Sequence, residues 1–135
     1  MDDAELRSFL DRTLTATIAT VGRNATPHSV PVWYRFDGRI FTVWTDPSRR
    51  WVKNVERNPL VSVVVAEHAP PFAAVVARGT AEVAVDAPGT DEEIRRIAER
   101  YLAADEVPAY VAQWRGLRTI VRIMPRQIRS WARGF

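Results

Sequence analysis

The residues best placed to do chemistry run from Thr45 to Asn54, Thr-Asp-Pro-Ser-Arg-Arg-Trp-Val-Lys-Asn, where an extended segment gives way to a helical period. Three cations, two hydroxyls and the free N–H groups of a helix start converge there. Dipole and orphan donors together favour a phosphate at such a position. Ser48 is the expected N-cap. Arg49 or Arg50 can grip phosphate oxygens in a bidentate way, and Lys53, the only lysine, follows one turn later as a point charge. The competing reading is a solvated helix face with Trp51 and Val52 turned to the core. A second constellation is the aromatic set Trp33, Tyr34, Phe41 and Trp44 on two neighbouring strands. Flat rings beside a phosphate cradle suit a stacked aromatic cofactor, whereas each ring taken alone is better explained as core packing.

A third feature is the series Arg115, Arg118, Arg122, Arg126, Arg129 and Arg133, with no acidic residue after Glu106. Such a run can follow a nucleic-acid backbone, with Trp114 and Trp131 for stacking. It also alternates with apolar residues as on a half-exposed strand whose partners are acids of the segment 91–106, and this second reading is preferred. A third option is a basic rim for an acidic cofactor tail. Nucleic acid is therefore the disfavoured partner, and a small molecule the favoured one.

Other chemistries lack their residues. The absence of cysteine excludes thiol catalysis, zinc knuckles, iron–sulfur clusters and a disulfide framework. No Gly-x-Ser-x-Gly elbow is present, and a hydrolase triad would have only His28 and His68 to draw on. Those histidines with Glu67 match no metal-ligand spacing, so no metal is expected. No catalytic side chain is expected either. A redox cofactor needs none, since the protein supplies position and electrostatics.

The elements that must position these residues fit one domain over residues 1–135, with 47% hydrophobic and 26% charged residues and a net charge of +3. A chain of this size buries roughly two-thirds of its unfolded surface and needs no staple. Its apolar runs fall well short of the roughly 20 residues that span a bilayer, and the acidic start does not read as a signal peptide, so a cytoplasmic protein is expected. A helix over 3–12 carries Leu6, Phe9 and Leu10 on one face, like a lid. Six strands are expected, over 14–21, 28–36, 40–45, 60–66, 72–85 and 119–131. The first three form a meander, with Asp37-Gly38 as a hairpin signal. Gly79 marks a bend or bulge, and Pro125 a bend in the last strand. Asn58-Pro59 stops the helix that begins near Ser48. Thr90-Asp91-Glu92-Glu93 reads as a capping box ahead of Ile94, Ile97 and Ala98, and a short aromatic helix lies around Tyr110. Strands with hairpin turns and few helices predict an antiparallel barrel.

The order Gly22-x4-Pro27, Val30-Pro31-Val32, Asp37-Gly38, Thr45, Ser48-Arg49-Arg50, Asn54-Val55, Asn58-Pro59 and Arg78-Gly79-Thr80-Ala81 resembles the pyridoxamine 5′-phosphate oxidase-like split-barrel proteins, over about residues 5–131. The resemblance implies a mainly β fold with helices, a six-stranded antiparallel split β-barrel of the FMN-binding type. It implies a homodimer with two cofactor sites at the subunit interface. FMN or coenzyme F420 is the implied cofactor, and hydride transfer to a small acceptor the implied activity. The family's Ser-Arg-Lys triplet after the third strand, which holds the flavin phosphate, corresponds to Ser48-Arg49-Arg50. Carried over, Thr45, Ser48, Arg49 and Arg50 form the phosphate shell. Lys53 stands in for the family lysine that is arginine here. Val30, Pro31, Val32 and Trp33 offer backbone to the ring, Trp44 adds an aromatic face, and Trp131 is expected near the partner subunit's site. The tail from Gln127 to Trp131 lacks the oxidase's substrate-binding arginine and histidine, so pyridoxamine phosphate is not the expected substrate. A non-catalytic flavin- or haem-binding carrier or sensor on the same barrel is the alternative.

Overall fold

The computed structural model describes residues 1–114, 116 and 118–134. Arg115, one of the arginine series, lies outside them. Seven strands form a single antiparallel sheet: β1 (Ala16–Val21), β2 (Pro27–Val32), β3 (Arg35–Phe36), β4 (Phe41–Thr45), β5 (Leu60–Ala66), β6 (Ala74–Val85) and β7 (Thr119–Trp131). Their order across the sheet is β2-β1-β5-β6-β7-β4-β3.

The expected strand over 28–36 is two strands, broken at Trp33 and Tyr34, and this raises the count from six to seven. β2 pairs with β1, Ile18 opposite Val30, at one edge of the sheet. β3 pairs with β4, Phe36 opposite Phe41, at the other edge. The meander therefore splits, because β2 and β4 lie on opposite sides of a seam. Tyr34 explains the break: its side chain is fully buried, and its N–H donates to the Tyr101 hydroxyl at 3.2 Å rather than to a neighbouring strand. Three Cα steps from Val32 to Arg35 reach no further than about 11 Å. The two edges must then meet, and the sheet curls into a barrel with an open seam, a split barrel.

The pairing of β6 with β7 is the longest, and it carries the expected bulge. Arg78 faces Gln127 but Gly79 faces Pro125, so Arg126 is the extra residue. A Cβ on Gly79 would lie 2.0 Å from the Met124 carbonyl oxygen, so this close approach admits only glycine. Pro125 tolerates the bulge because it has no N–H to pair.

Inside the curl sit Ile18, Val63, Val75, Val121 and Ile123. Helix α1 (Asp3–Leu10) packs Phe9 and Leu10 into this core, as the lid reading anticipated, and its start is fixed by a capping box between Asp2 and Glu5. Helix α2 (Arg50–Arg57) buries Trp51, Val52 and Val55. Helix α3 (Thr90–Ala98) buries Ile94, Ile97 and Ala98, but the expected capping box is absent. Gly89 is the N-cap at φ 84°, the Thr90 hydroxyl donates to the Ala87 carbonyl, and the Glu93 carboxylate is taken by Arg35 at 2.9 and 3.0 Å. Helix α4 (Val107–Gln113) starts with Pro108 in its first turn, where a missing N–H costs nothing. Among the described residues no helix is long and apolar enough to cross a membrane.

Candidate functional site

The turn from Asp46 to Arg50 separates two grooves. Its organiser is Asp46, whose carboxylate accepts the Ser48 N–H at 2.7 Å and also its hydroxyl, bonds that hold the acid below the usual carboxylate range. With Ser48 engaged in this way, the helix N-cap is Arg49, one residue later than expected. Arg49 faces one groove, and Ser48 and Arg50 face the other.

The groove on the Arg50 side has a volume of about 530 Å³ and is lined by Arg23, Thr26, Ser48, Arg50, Lys53 and Arg57. Arg50, Lys53 and Arg57 share one face of α2, being three and four residues apart. Asn54 locks that face to the barrel. Its side-chain amide is buried, donates to Thr20 Oγ1 at 3.1 Å, and accepts from the Arg57 guanidinium at 2.8 Å. Arg23 arrives on a tight turn closed by the Gly22 N–H on the Thr26 carbonyl at 2.7 Å. Among the described residues none of these four cations pairs with a carboxylate. Unpaired like charges gathered this closely repel one another, and a phosphate relieves that repulsion. The residues present therefore fit the phosphate of a flavin-type nucleotide.

The other groove, about 390 Å³, runs along the barrel seam. Its floor is Val30, Pro31, Val32 and Trp33, and Thr45 and Trp44 rise from β4. As an edge strand, β2 leaves alternate backbone groups unpaired toward the groove, available to ring heteroatoms. Helix α4 adds Tyr110 and Trp114. Trp44 meets Tyr110 and Trp114 edge-on, with centroids at 5.9 and 5.2 Å, and Trp33 lies 5.5 Å from Tyr110. Partial burial pushes the Tyr110 phenol up from its ordinary pKa.

The structure thus brings Val30, Pro31, Val32, Trp33, Trp44, Thr45 and Arg49 to one groove and Ser48, Arg50 and Lys53 to its neighbour. Trp131 is elsewhere. It ends β7 beside Val76 and Arg129, twelve residues from the Thr119 that pairs with Thr45. Tyr34 and Phe41 are core residues rather than groove walls. Arg23, Arg57 and Tyr110 were missed as site residues in the sequence reading, and Asn54, which ends the Thr45–Asn54 run, was given no bracing role there. Of the three, Arg57 carried a signal, its position seven residues after Arg50. Of the arginine series, Arg118 pairs with Asp91 and Arg122 reaches Glu93 at 4.0 Å, as the half-exposed-strand reading expects. Residues 126–129, in contrast, are exposed throughout, and Arg126 and Arg129 pair with no acid among the described residues. Glu67 is taken by Arg12 and the Ala73 N–H.

A family model described as pyridoxamine 5′-phosphate oxidase matches residues 2–132. The chain belongs to this pyridoxamine 5′-phosphate oxidase-like family of split barrels. Among solved structures, the conserved hypothetical protein Rv2991 from Mycobacterium tuberculosis is 31% identical at a TM-score of 0.83, over 97% of this chain and 84% of that one. An F420 reductase is 26% identical at a TM-score of 0.72, over 91% and 94% of the two chains. The haem storage protein HutZ from Vibrio cholerae shares the fold at 21% identity and a TM-score of 0.74, over 98% and 94%. No curated protein matches the sequence.

Proposed function

We propose that this protein is an oxidoreductase that binds FMN or coenzyme F420 across the two grooves and passes hydride to a small acceptor. The observation that carries the reading is the group of four unpaired cations, Arg23, Arg50, Lys53 and Arg57, adjoining a groove walled by aromatic rings. Arg50 and Lys53 would hold the phosphate, with Arg57 braced by Asn54 and Arg23 closing the far side. Val30, Pro31, Val32 and Trp33 would lie along the ring system. Arg49 sits where the chain between ring and phosphate must pass. The bound cofactor supplies the hydride, and the protein supplies position, shape and a positive field. The likeness to an F420 reductase supports this assignment.

A homodimer is part of the proposal. An apolar groove bounded by Val21, Pro27, Leu60, Val61 and Gly79 lies on the barrel wall, and Leu60 is 55% exposed in it. A second copy covering that wall would remove its apolar surface from water and leave Trp131 free to approach the partner's groove. A cytoplasmic setting completes the reading.

The test is titration of the purified protein with FMN and F420 separately, followed by turnover with a panel of quinone and nitro acceptors. Tight binding of one with turnover is expected. Binding without turnover would favour a carrier, and no binding of either would end the assignment. A haem-binding reading has less to stand on, because neither His28 nor His68 lines either groove.

A further inference from the structure

We propose that Lys53 is an acylation site, and that its acyl donor is an acyl phosphate drawn into the cationic groove. The inference goes beyond the proposed redox activity and rests on that reading only for the groove's affinity for phosphate. The groove of about 530 Å³ beside α2 holds Arg23, Arg50, Lys53 and Arg57, and among the described residues none of the four pairs with a carboxylate. Three of them are guanidinium groups, which stay protonated and bind phosphate oxygens without reacting. Lys53 differs in kind. It is a primary amine, and the chain has no other lysine. A groove built to recruit phosphate thus carries one amine nucleophile. Lys53 is exposed, three residues after Arg50 and four before Arg57, so cations on the same helix face flank it on both sides.

An acyl phosphate carries its reactive carbon one bridging oxygen from phosphorus. When Arg50 or Arg57 holds the phosphoryl oxygens, that carbon falls within reach of the side chain between them, which is Lys53. One arm of the cradle is anchored to β1, because Arg57 donates to Asn54 Oδ1 at 2.8 Å and the Asn54 amide donates to Thr20 Oγ1 at 3.1 Å. The unprotonated Lys53 amine adds to the carbonyl carbon, and a C–N bond forms. The C–O bond to phosphate breaks, and its electron pair leaves with inorganic phosphate. The proton lost by the amine passes to that phosphate, and nothing is oxidised or reduced. Arginines that hold the donor also stabilise the charge of the departing phosphate. The product amide is neutral, so the groove loses one of its four cations and holds anions less tightly. A bound phosphate ester would in turn shield the amine.

The experiment exposes the purified protein to acetyl phosphate and, in parallel, to N-acetoxysuccinimide, a donor without phosphate, and reads acetylation by peptide mass spectrometry. The chain offers two amines, Lys53 and the Met1 amine, which donates to Ser130 Oγ at 3.1 Å and serves as the internal reference. Relative to N-acetoxysuccinimide, acetyl phosphate should shift the ratio of Lys53 to Met1 product toward Lys53 by about tenfold or more. Its rate at Lys53 should saturate with donor concentration, and inorganic phosphate should suppress it. Arg50→Ala, at an exposed position, should slow labelling of Lys53 by acetyl phosphate several-fold and leave labelling by N-acetoxysuccinimide unchanged. Equal ratios with the two donors, or a rate linear in acetyl phosphate and indifferent to inorganic phosphate, would overturn the inference. Selective labelling of a protein that binds neither FMN nor F420 would uphold it while ending the redox assignment. Cofactor binding with unselective labelling would do the reverse.

Discussion

The Trp33 indole lies flat on the Tyr101 ring, centroids 4.7 Å apart and planes 7° from parallel. The same tyrosine accepts the Tyr34 N–H through its hydroxyl and donates to the Leu14 carbonyl at 2.8 Å. One side chain thus fixes both residues of the joint between β2 and β3 and ties them to the chain leading into β1. Tyr101→Phe keeps the stack and removes both bonds, leaving the Tyr34 amide and the Leu14 carbonyl without this partner. A loss of about 1–2 kcal/mol is expected in urea denaturation. A loss below about 0.5 kcal/mol would show that the joint is held by packing alone.

Arg49 and Arg50 are exposed, so replacing both by alanine should leave the fold intact. Cofactor affinity should fall by at least about 2 kcal/mol, roughly 30-fold, through lost charge-assisted bonds. Calorimetric titration of FMN and F420 checks this. Asn54→Ala should act on the same site indirectly, since Arg57 loses its brace, and should also destabilise the protein because Thr20 loses its buried partner. Unchanged affinity in the double variant would place the phosphate elsewhere.

Gly79→Ala should be costly. The added methyl would press on the Met124 carbonyl, which is backbone and cannot swing away, and the bulge between β6 and β7 must reorganise. A destabilisation of about 1–3 kcal/mol is expected. Gly89→Ala is the control: open space surrounds it, so only the strain of its φ of 84° would be felt.

Alkaline pH should weaken the fold through Tyr34. Burial raises the phenol well above its ordinary pKa, against the pull of the Arg100 charge, and the hydroxyl donates to the Leu10 carbonyl at 2.9 Å. Below about pH 10 the folded and unfolded chains both keep this proton. Above it the unfolded chain releases the proton and the folded chain does not, so stability falls as pH rises through this window. Tyr34→Phe should flatten that slope, as seen in denaturation midpoints between pH 8 and pH 11. It should cost about 1 kcal/mol at pH 7. An unaltered slope would mean the phenol ionises without unfolding.

Leu60→Glu places a charge in the apolar wall groove. Sedimentation should show a dimer for wild type and a monomer for the variant, with cofactor affinity falling together with dimerisation. Wild type that sediments as a monomer, or a variant that remains dimeric, would remove this wall from the interface.

Much of the barrel was legible from local chemistry. Asp37-Gly38 closed a hairpin because the Asp37 carboxylate accepts the Arg39 and Ile40 amides, both at 2.8 Å, while Gly38 takes a φ of 99°. Gly79 and Pro125 marked the bulge because each removes something a regular ladder requires. What escaped the sequence reading was decided by distant contacts. Tyr34 leaves the strand for a partner 67 residues away, and Glu93 abandons its cap for Arg35, 58 residues away. Local pattern reports neither. The helix start slipped from Ser48 to Arg49 because Asp46, a better acceptor two residues earlier, captured both donors of the serine. Ser48, Arg50 and Lys53 do line one groove together, but Arg23 and Asn54 join Arg57 there only through the packing of α2 on β1. Tyr110 enters the groove only because α4 folds back toward β4.

The seam between β2 and β3 is spanned by covalent chain but by no rungs of backbone hydrogen bonding, and that same opening is the floor of the aromatic groove. A flat molecule resting there would lean on both margins of the sheet together and act as a keystone. Occupancy and barrel rigidity then become a single variable, and the backbone amides of Val30 and Val32 should exchange with solvent most slowly when the arch is filled.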